Sequence, residues 1–219
     1  MTVYDSRLFH PSTMLIVGPS SSGETSFTLN LLEHKDSIFR DNGPGFVILI
    51  YETWQSSYDV MVNNKLVDLS IKGLDNIEYL KELFTENKDK GGTLLIIDDQ
   101  MQRIDNNLVE IFTIYSHHFK VTCLLLTQSL FLSNKIYRII SLNSNYIVLM
   151  KNTRDSSSVT MLAKQTHPFR TRFVSDSYLT ATRNPYTYLL LDLRQETPEI
   201  LRLRADIFSD VIQVYISYP

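Results

Sequence analysis

Two rhythms of apolar and polar positions run along this chain: short unbroken apolar runs, and longer stretches in which apolar residues recur every three or four positions. The first marks strands covered on both faces, and the second marks the helices that cover them. Thr13–Val17 reads as the first strand, followed by a Gly/Ser loop and a helix with Phe27, Leu31 and Leu32 on one face. Phe46–Tyr51 reads as the second strand, introduced by the Gly43-Pro44-Gly45 turn. A short third strand is expected at 67–69, and a helix at 76–87 with Ile77, Leu80 and Phe84 aligned. Residues 93–98, Val121–Thr127 and Tyr146–Met150 repeat the buried-strand signature, with a short helix over 135–141 between the last two. A helix over 157–164 and a β-hairpin pairing 188–193 with 200–204 complete the reading. Strands alternating with helices in this way predict an α/β fold with a mostly parallel central sheet. The prediction is one domain over 1–219, with 166–219 as a C-terminal extension completing it.

Composition narrows the picture. With 219 residues, 43% of them hydrophobic, the chain can bury a full core. Its net charge of −3, without a block of like charges, means that any nucleic-acid contact needs a local patch or an assembled ring. The single cysteine, Cys123, lies in an apolar run and reads as a small buried hydrophobe in a reducing, intracellular compartment. Asp5 and Arg7 interrupt the N-terminal stretch, and no apolar run approaches the roughly 18 residues of a membrane span, so neither secretion nor a membrane span is expected.

The candidate chemistry begins between the first strand and the helix after it. Gly18-Pro19-Ser20-Ser21-Ser22-Gly23-Glu24-Thr25, followed by Ser26, fits the phosphate-loop pattern G-x-x-x-x-G-K-[ST] everywhere except the lysine. Its glycines let backbone N–H groups converge on phosphates, and the helix N-terminus adds a partial positive charge. These residues predict a nucleotide site for ATP, with the Thr25 hydroxyl on Mg²⁺. Leu94 to Asp99 is an apolar strand ending in two carboxylates: Asp98 to hold Mg²⁺ directly or through water, Asp99 to orient and deprotonate the attacking water. Thr127-Gln128 ends the next apolar strand, where the Gln128 amide can reach the γ-phosphate or the lytic water. Trp54 reads as core, His117-His118 as no metal site for want of spaced partners, and Lys151, Arg170 and Arg172 as solvated surface.

Those residues, with His10-Pro11, the Tyr51-Glu52-Thr53-Trp54-Gln55 segment and Lys151-Asn152-Thr153-Arg154-Asp155, resemble the genome-packaging ATPases of Polinton/Maverick-type elements and related viruses, within the FtsK–HerA superfamily. The similarity runs in order over most of the chain, through Tyr188 to Asp192 and Leu201 to Arg204. The resemblance implies a homo-oligomeric ring of five or six subunits that hydrolyses ATP at its interfaces and drives double-stranded DNA into a capsid, at its portal vertex. It also implies an arginine acting from a neighbouring subunit, a role carried onto Arg154, and a eukaryotic host in which the protein works in the nucleus or a virus factory, or rides with the virion.

Glu24 is the departure from that pattern. The loop lysine bridges the β- and γ-phosphates and follows charge into the transition state. A glutamate swings the local charge by two units, each worth up to about 4 kcal/mol at roughly 4 Å and an effective dielectric near 20. A carboxylate is itself comfortable at a helix N-terminus, so the fold need not suffer, and Glu24 can face the anion nest in place of a phosphate. Three readings stand: a packaging motor disabled by Glu24, a degenerate pseudo-ATPase retaining oligomeric or DNA-binding behaviour, and a small P-loop kinase.

Overall fold

Nine strands form one sheet in the order β3-β2-β4-β5-β1-β6-β7-β8-β9 in a computed structural model that describes residues 4–41, 43–100 and 104–217. In chain order the elements are β1 (Thr13–Val17), α1 (Glu24–Glu33), α2 (Lys35–Ile38), β2 (Phe46–Tyr51), α3 (Ser56–Asn63), β3 (Leu69–Lys72), α4 (Ile77–Asn87) and β4 (Thr93–Ile97). Then follow α5 (Asn106–Glu110), a π turn over Ile111–Tyr115, α6 (Ser116–His118), β5 (Val121–Thr127), α7 (Lys135–Leu142), β6 (Tyr146–Met150), α8 (Ser157–Thr166) and α9 (Thr171–Ala181). β7 (Tyr188–Asp192), β8 (Leu203–Ala205) and β9 (Gln213–Val214) close the chain's structure. From β3 through β6 every pairing is parallel, and from β6 through β9 every pairing is antiparallel.

The apolar runs form strands because both faces of the sheet are covered. Leu15 and Val17 of β1 point to one layer, built on α4 and α7 to α9, while Met14 and Ile16 point to the other, built on α1 and α3. Every residue of β1, β4, β5 and β6 is buried, so alternation vanishes from the sequence. Cys123 is buried in β5, and burial pushes its thiol well above the usual range.

Two expectations need correction. The third strand is Leu69–Lys72 rather than 67–69, because pairing with β2 starts at Ile48↔Leu69, while the Asp68 carboxylate just before it accepts the Val47 N–H at 2.8 Å. In the expected hairpin, Ile200 belongs to a 3₁₀ turn (Glu199–Leu201), and of β8 only Leu203 and Arg204 pair with β7, opposite Leu191 and Leu190. There Arg204 is 1% exposed; it bonds Asp192 Oδ2 at 2.6 Å and the Ser6 carbonyl, clamping the antiparallel end of the sheet.

Below β1, at the edge away from the phosphate-loop pattern, His10 ties three segments together. Its Nε2 donates to the Gly91 carbonyl at 2.7 Å, and the Thr122 hydroxyl donates to Nδ1 at 2.7 Å. The approach is close enough that residue 92 must be glycine: it has φ of +81°, and an added Cβ would strike the Lys120 carbonyl and lie 2.7 Å from His10 Nε2.

Candidate nucleotide site

The phosphate-loop pattern follows β1 at the carboxyl ends of the parallel strands, where open α/β sheets carry their ligand sites. Gly18 N–H donates to the Thr127 carbonyl at 3.1 Å, which pins the start of the loop to the end of β5. Ser21 (φ 68°) and Gly23 (φ 112°) take left-handed backbone conformations, and the Ser22 N–H closes a turn onto the Pro19 carbonyl at 3.0 Å. Alternating hands of this kind turn successive N–H groups inward and make an anion nest. Gly18 is required by packing: a Cβ there would strike the Ser22 hydroxyl and lie 2.7 Å from Met150 Cβ.

Beside the loop lies a cleft of about 1060 Å³ lined by Ser20, Ser21, Glu24, Thr25, Glu52, Thr53, Gln55, Asp98, Asp99, Leu126, Thr127, Gln128 and Leu132. The sheet explains the gathering. β4 lies between β2 and β5, with Ile50 opposite Ile97, so the residues just past each strand end meet: Glu52 from β2, Asp98 and Asp99 from β4, Thr127 and Gln128 from β5. The Asp98 N–H still reaches the Ile50 carbonyl at 2.9 Å, while Asp99 turns out of the ladder with φ of 58°, a conformation Asp tolerates better than most residues. Asp98 is half-buried and Asp99 is exposed.

Tyr58 of α3, buried, donates its hydroxyl to Asp98 Oδ2 at 2.7 Å and fixes the carboxylate's orientation. Burial raises the Asp98 pKa and the charge of Asp99 adds to the rise, while the Tyr58 hydroxyl and the Asp99 N–H oppose it. The Tyr58 phenol is itself pushed up, by burial and then by the charge of Asp98. Buried Gln100, next in the chain, donates through Nε2 to Glu52 Oε2 at 3.4 Å.

Glu24 opens α1 and faces the loop that precedes it. Burial raises its carboxyl pKa and Asp98 raises it further. Its own N–H, the Ser22 hydroxyl and the Gly23 N–H pull the other way. The Ser22 hydroxyl acts without closing a hydrogen bond, for Ser22 Oγ is buried with no partner among the described residues. The chain's own carboxylate thus stands in the field that the nest would offer a phosphate. Among the described residues the lining contains four carboxylates, Glu24, Glu52, Asp98 and Asp99, and no Lys, Arg or His.

The site fits the two components of ATP·Mg²⁺ differently. The Thr25 hydroxyl and the Asp98 carboxylate are hard oxygen donors in one cleft, the donor set a Mg²⁺ takes alongside phosphate oxygens and water. The loop does not fit a triphosphate, because Glu24 meets it with a negative charge where the pattern has an ammonium.

Comparison with known proteins settles the fold. No protein-family model matches the chain, and no curated protein matches it. Among solved structures, it is similar to EssC (ATPases 2 and 3) from Geobacillus thermodenitrificans, at 12% identity over 69% of this chain and 34% of that one, with a TM-score of 0.50. It is also similar to the cytoplasmic domain of the Thermomonospora curvata Type VII secretion ATPase EccC, at 15% identity over 85% of this chain and 24% of that one, TM-score 0.50. The fold is that of the P-loop NTPases. A third similar structure is the KaiC-like protein PH0186 from Pyrococcus horikoshii OT3, at 13% identity over 94% and 90% of the two chains, TM-score 0.48. This chain spans about a third of the EssC chain and a quarter of the EccC chain.

Of the residues singled out from sequence, Ser20, Ser21, Glu24, Thr25, Asp98, Asp99 and Gln128 line one P-loop cleft. Gly18 lines a smaller adjoining hollow with Gln128, Asn152 and Asp155. Ser26 is exposed and outside the cleft, as is Arg154, whose N–H donates to Asn152 Oδ1 at 2.9 Å. Arg154 does not pair with its neighbour: Asp155 instead accepts from the Ser157 and Ser158 hydroxyls, which hold its carboxyl below the usual range. Trp54 is not core; it is 42% exposed, stacked edge-on against Tyr51 and Tyr58, with Nε1 donating to Asp59 at 3.0 Å. Glu52 and Tyr58 belong to the site, though the sequence reading gives neither of them a role there. Glu52 is legible in retrospect as the acid that ends an apolar run, the same signal that marks Asp98. Tyr58 is not, because only the fold of α3 over β2 and β4 brings it there.

Proposed function

We propose that this chain is a subunit of an ATP-driven double-stranded DNA packaging motor of the FtsK–HerA type, impaired in its own hydrolysis by Glu24. Support for the motor comes from the ordered resemblance along the chain and from a P-loop ATPase fold in which Thr25, Asp98, Asp99 and Gln128 share one cleft. The single observation behind the impairment is that Glu24 stands at the loop's lysine position in a cleft whose described lining holds four carboxylates and no base. When bound, Mg²⁺ on Thr25 and Asp98 would supply the positive charge at the phosphates, and Asp99 would be placed to hold the proton of an attacking water. The partners of this reading are duplex DNA, further copies of the chain in a ring of five or six, and a capsid portal vertex; its setting is the nucleus or virus factory of a eukaryotic host.

Titration calorimetry with ATP·Mg²⁺ on the chain, on Glu24→Gln and on Glu24→Lys tests the reading. Removing the repulsion recovers part of the affinity, and replacing it with attraction recovers the rest, so the lysine variant binds most tightly and the unmodified chain most weakly. The span is roughly a hundredfold or more. Without ligand the melting temperatures of the chain and of Glu24→Lys stay close, while ATP·Mg²⁺ raises that of the lysine variant alone. Equal binding by all three would overturn the role given to Glu24. Absence of DNA-stimulated hydrolysis by Glu24→Lys, despite tight ATP binding, would overturn the motor.

A further inference from the structure

The turn joining α8 to α9 presents Phe169 to solvent at 98% exposure, the largest value among the described large hydrophobics. A ring held so far out adds nothing to the core, yet the turn beneath it is firmly built. The His167 N–H donates to Ala163 O at 2.8 Å, the Arg170 N–H to His167 O at 2.9 Å, and the Thr171 hydroxyl to the Pro168 carbonyl at 3.3 Å. Pro168, immediately before the ring, fixes its own φ and stiffens the tip. Cations flank it: Arg170, exposed, whose Nη1 donates to the Ser217 hydroxyl, Arg172, and Lys164 one turn back on α8. Arg172 meets Asp176 at 3.5 Å with both side chains mostly in water, a pair worth little and readily exchanged for a phosphate. Arg202 is engaged by Glu199, so it adds less. Burial first, then Arg202 and Arg170, hold the His167 pKa below its ordinary value against the opposing charge of Glu199.

We propose that this tip is a nucleic-acid contact, with the Phe169 ring stacking on a base face and Arg170 and Arg172 meeting the flanking phosphates. The chemistry is that of an aromatic platform set between cations, which recognises bases without reading their sequence; on a duplex the same ring acts as an apolar wedge at a base step. α8 leaves the carboxyl edge of β6 and α9 returns to it, so the tip lies a helix length, about 15 Å, from the nucleotide edge. DNA can therefore engage it without entering the cleft. The inference rests on the DNA-handling reading above.

Fluorescence anisotropy of the full chain with a labelled short duplex and with the matching single strand, over a range of salt, tests it. Phe169→Ala weakens binding roughly fivefold or more on whichever substrate offers the base face, and Phe169→Trp retains it. The double variant Arg170→Ala/Arg172→Ala flattens the dependence of log affinity on log salt by about two units on duplex. Unchanged affinity of Phe169→Ala for both substrates overturns the proposal, as does a loss of affinity that sedimentation traces to a smaller assembly, since Phe169 would then join copies of the chain. Should the unmodified chain and Glu24→Lys bind neither substrate at low salt, the DNA-handling reading fails as well.

Discussion

At the scale of single residues, the chain places charge where the fold alone would not. Burial raises the Asp98 pKa above its unfolded value, so the stability tied to this group is full below the unfolded value and lost as pH rises through the raised one. Asp98→Asn is therefore expected to raise the melting temperature of the ligand-free chain at pH 7, while in a Glu24→Lys background it lowers Mg²⁺-dependent ATP affinity; a lower melting temperature would contradict this account. His10 behaves oppositely. Burial first, then Lys120 and Lys35, hold its pKa at about 4, against the Gly91 carbonyl, so the folded protein keeps the ring neutral. With an unfolded value near 6.5, the stability it contributes is complete above that pH and drains away as pH falls toward 4, by up to about 3 kcal/mol. Urea unfolding between pH 7 and 4.5 reads this out, and His10→Gln should flatten the profile. The loop, Asp98, Asp99 and Gln128 are legible in the sequence because each follows an apolar run that ends abruptly. Tyr58 and the fixed tautomer of His10 are not, since their partners lie 40 and 112 residues away.

Elements with long buried runs are readable end to end, and those stabilised by tertiary contact are not. β1, β2, β5 and β6 have the boundaries that their apolar runs predict. α9 is hard to read because its buried stripe is Val174, Ser177, Tyr178 and Ala181, in which only two members are large and apolar or aromatic. The π turn at Ile111–Tyr115 has no sequence mark at all. The antiparallel end of the sheet depends on the Asp192–Arg204 pair. Burial raises the Asp192 pKa against the opposing charge of Arg204, and lowers that of Arg204. Asp192→Ala leaves a buried guanidinium uncompensated and should cost about 3–5 kcal/mol in chemical denaturation. Replacing both partners with apolar residues of similar volume should cost clearly less; an equal cost would mean that packing, not charge, governs the site.

For the whole molecule, the position of Arg154 outside its own cleft matters most. In the proposed ring it would serve a neighbour's site, which can be tested by mixing Asp99→Asn with Arg154→Ala, both in the Glu24→Lys background. Recovered hydrolysis in mixed assemblies is the expected result, and none at all, with both variants folded and assembled, would remove the case for action in trans. The strand that carries the phosphate loop has a different kind of consequence. β1 is paired on both sides and buried throughout, between two apolar layers, whereas β3 and β9 are the sheet's open edges. Deuterium should therefore enter the amides of β9 and β3 within local openings, but reach Leu15 and Ile16 only when the entire sheet comes apart. The slowest clock in the molecule would then tick directly beneath the loop, and substitutions at Glu24 could change what the loop holds while leaving that clock unaltered.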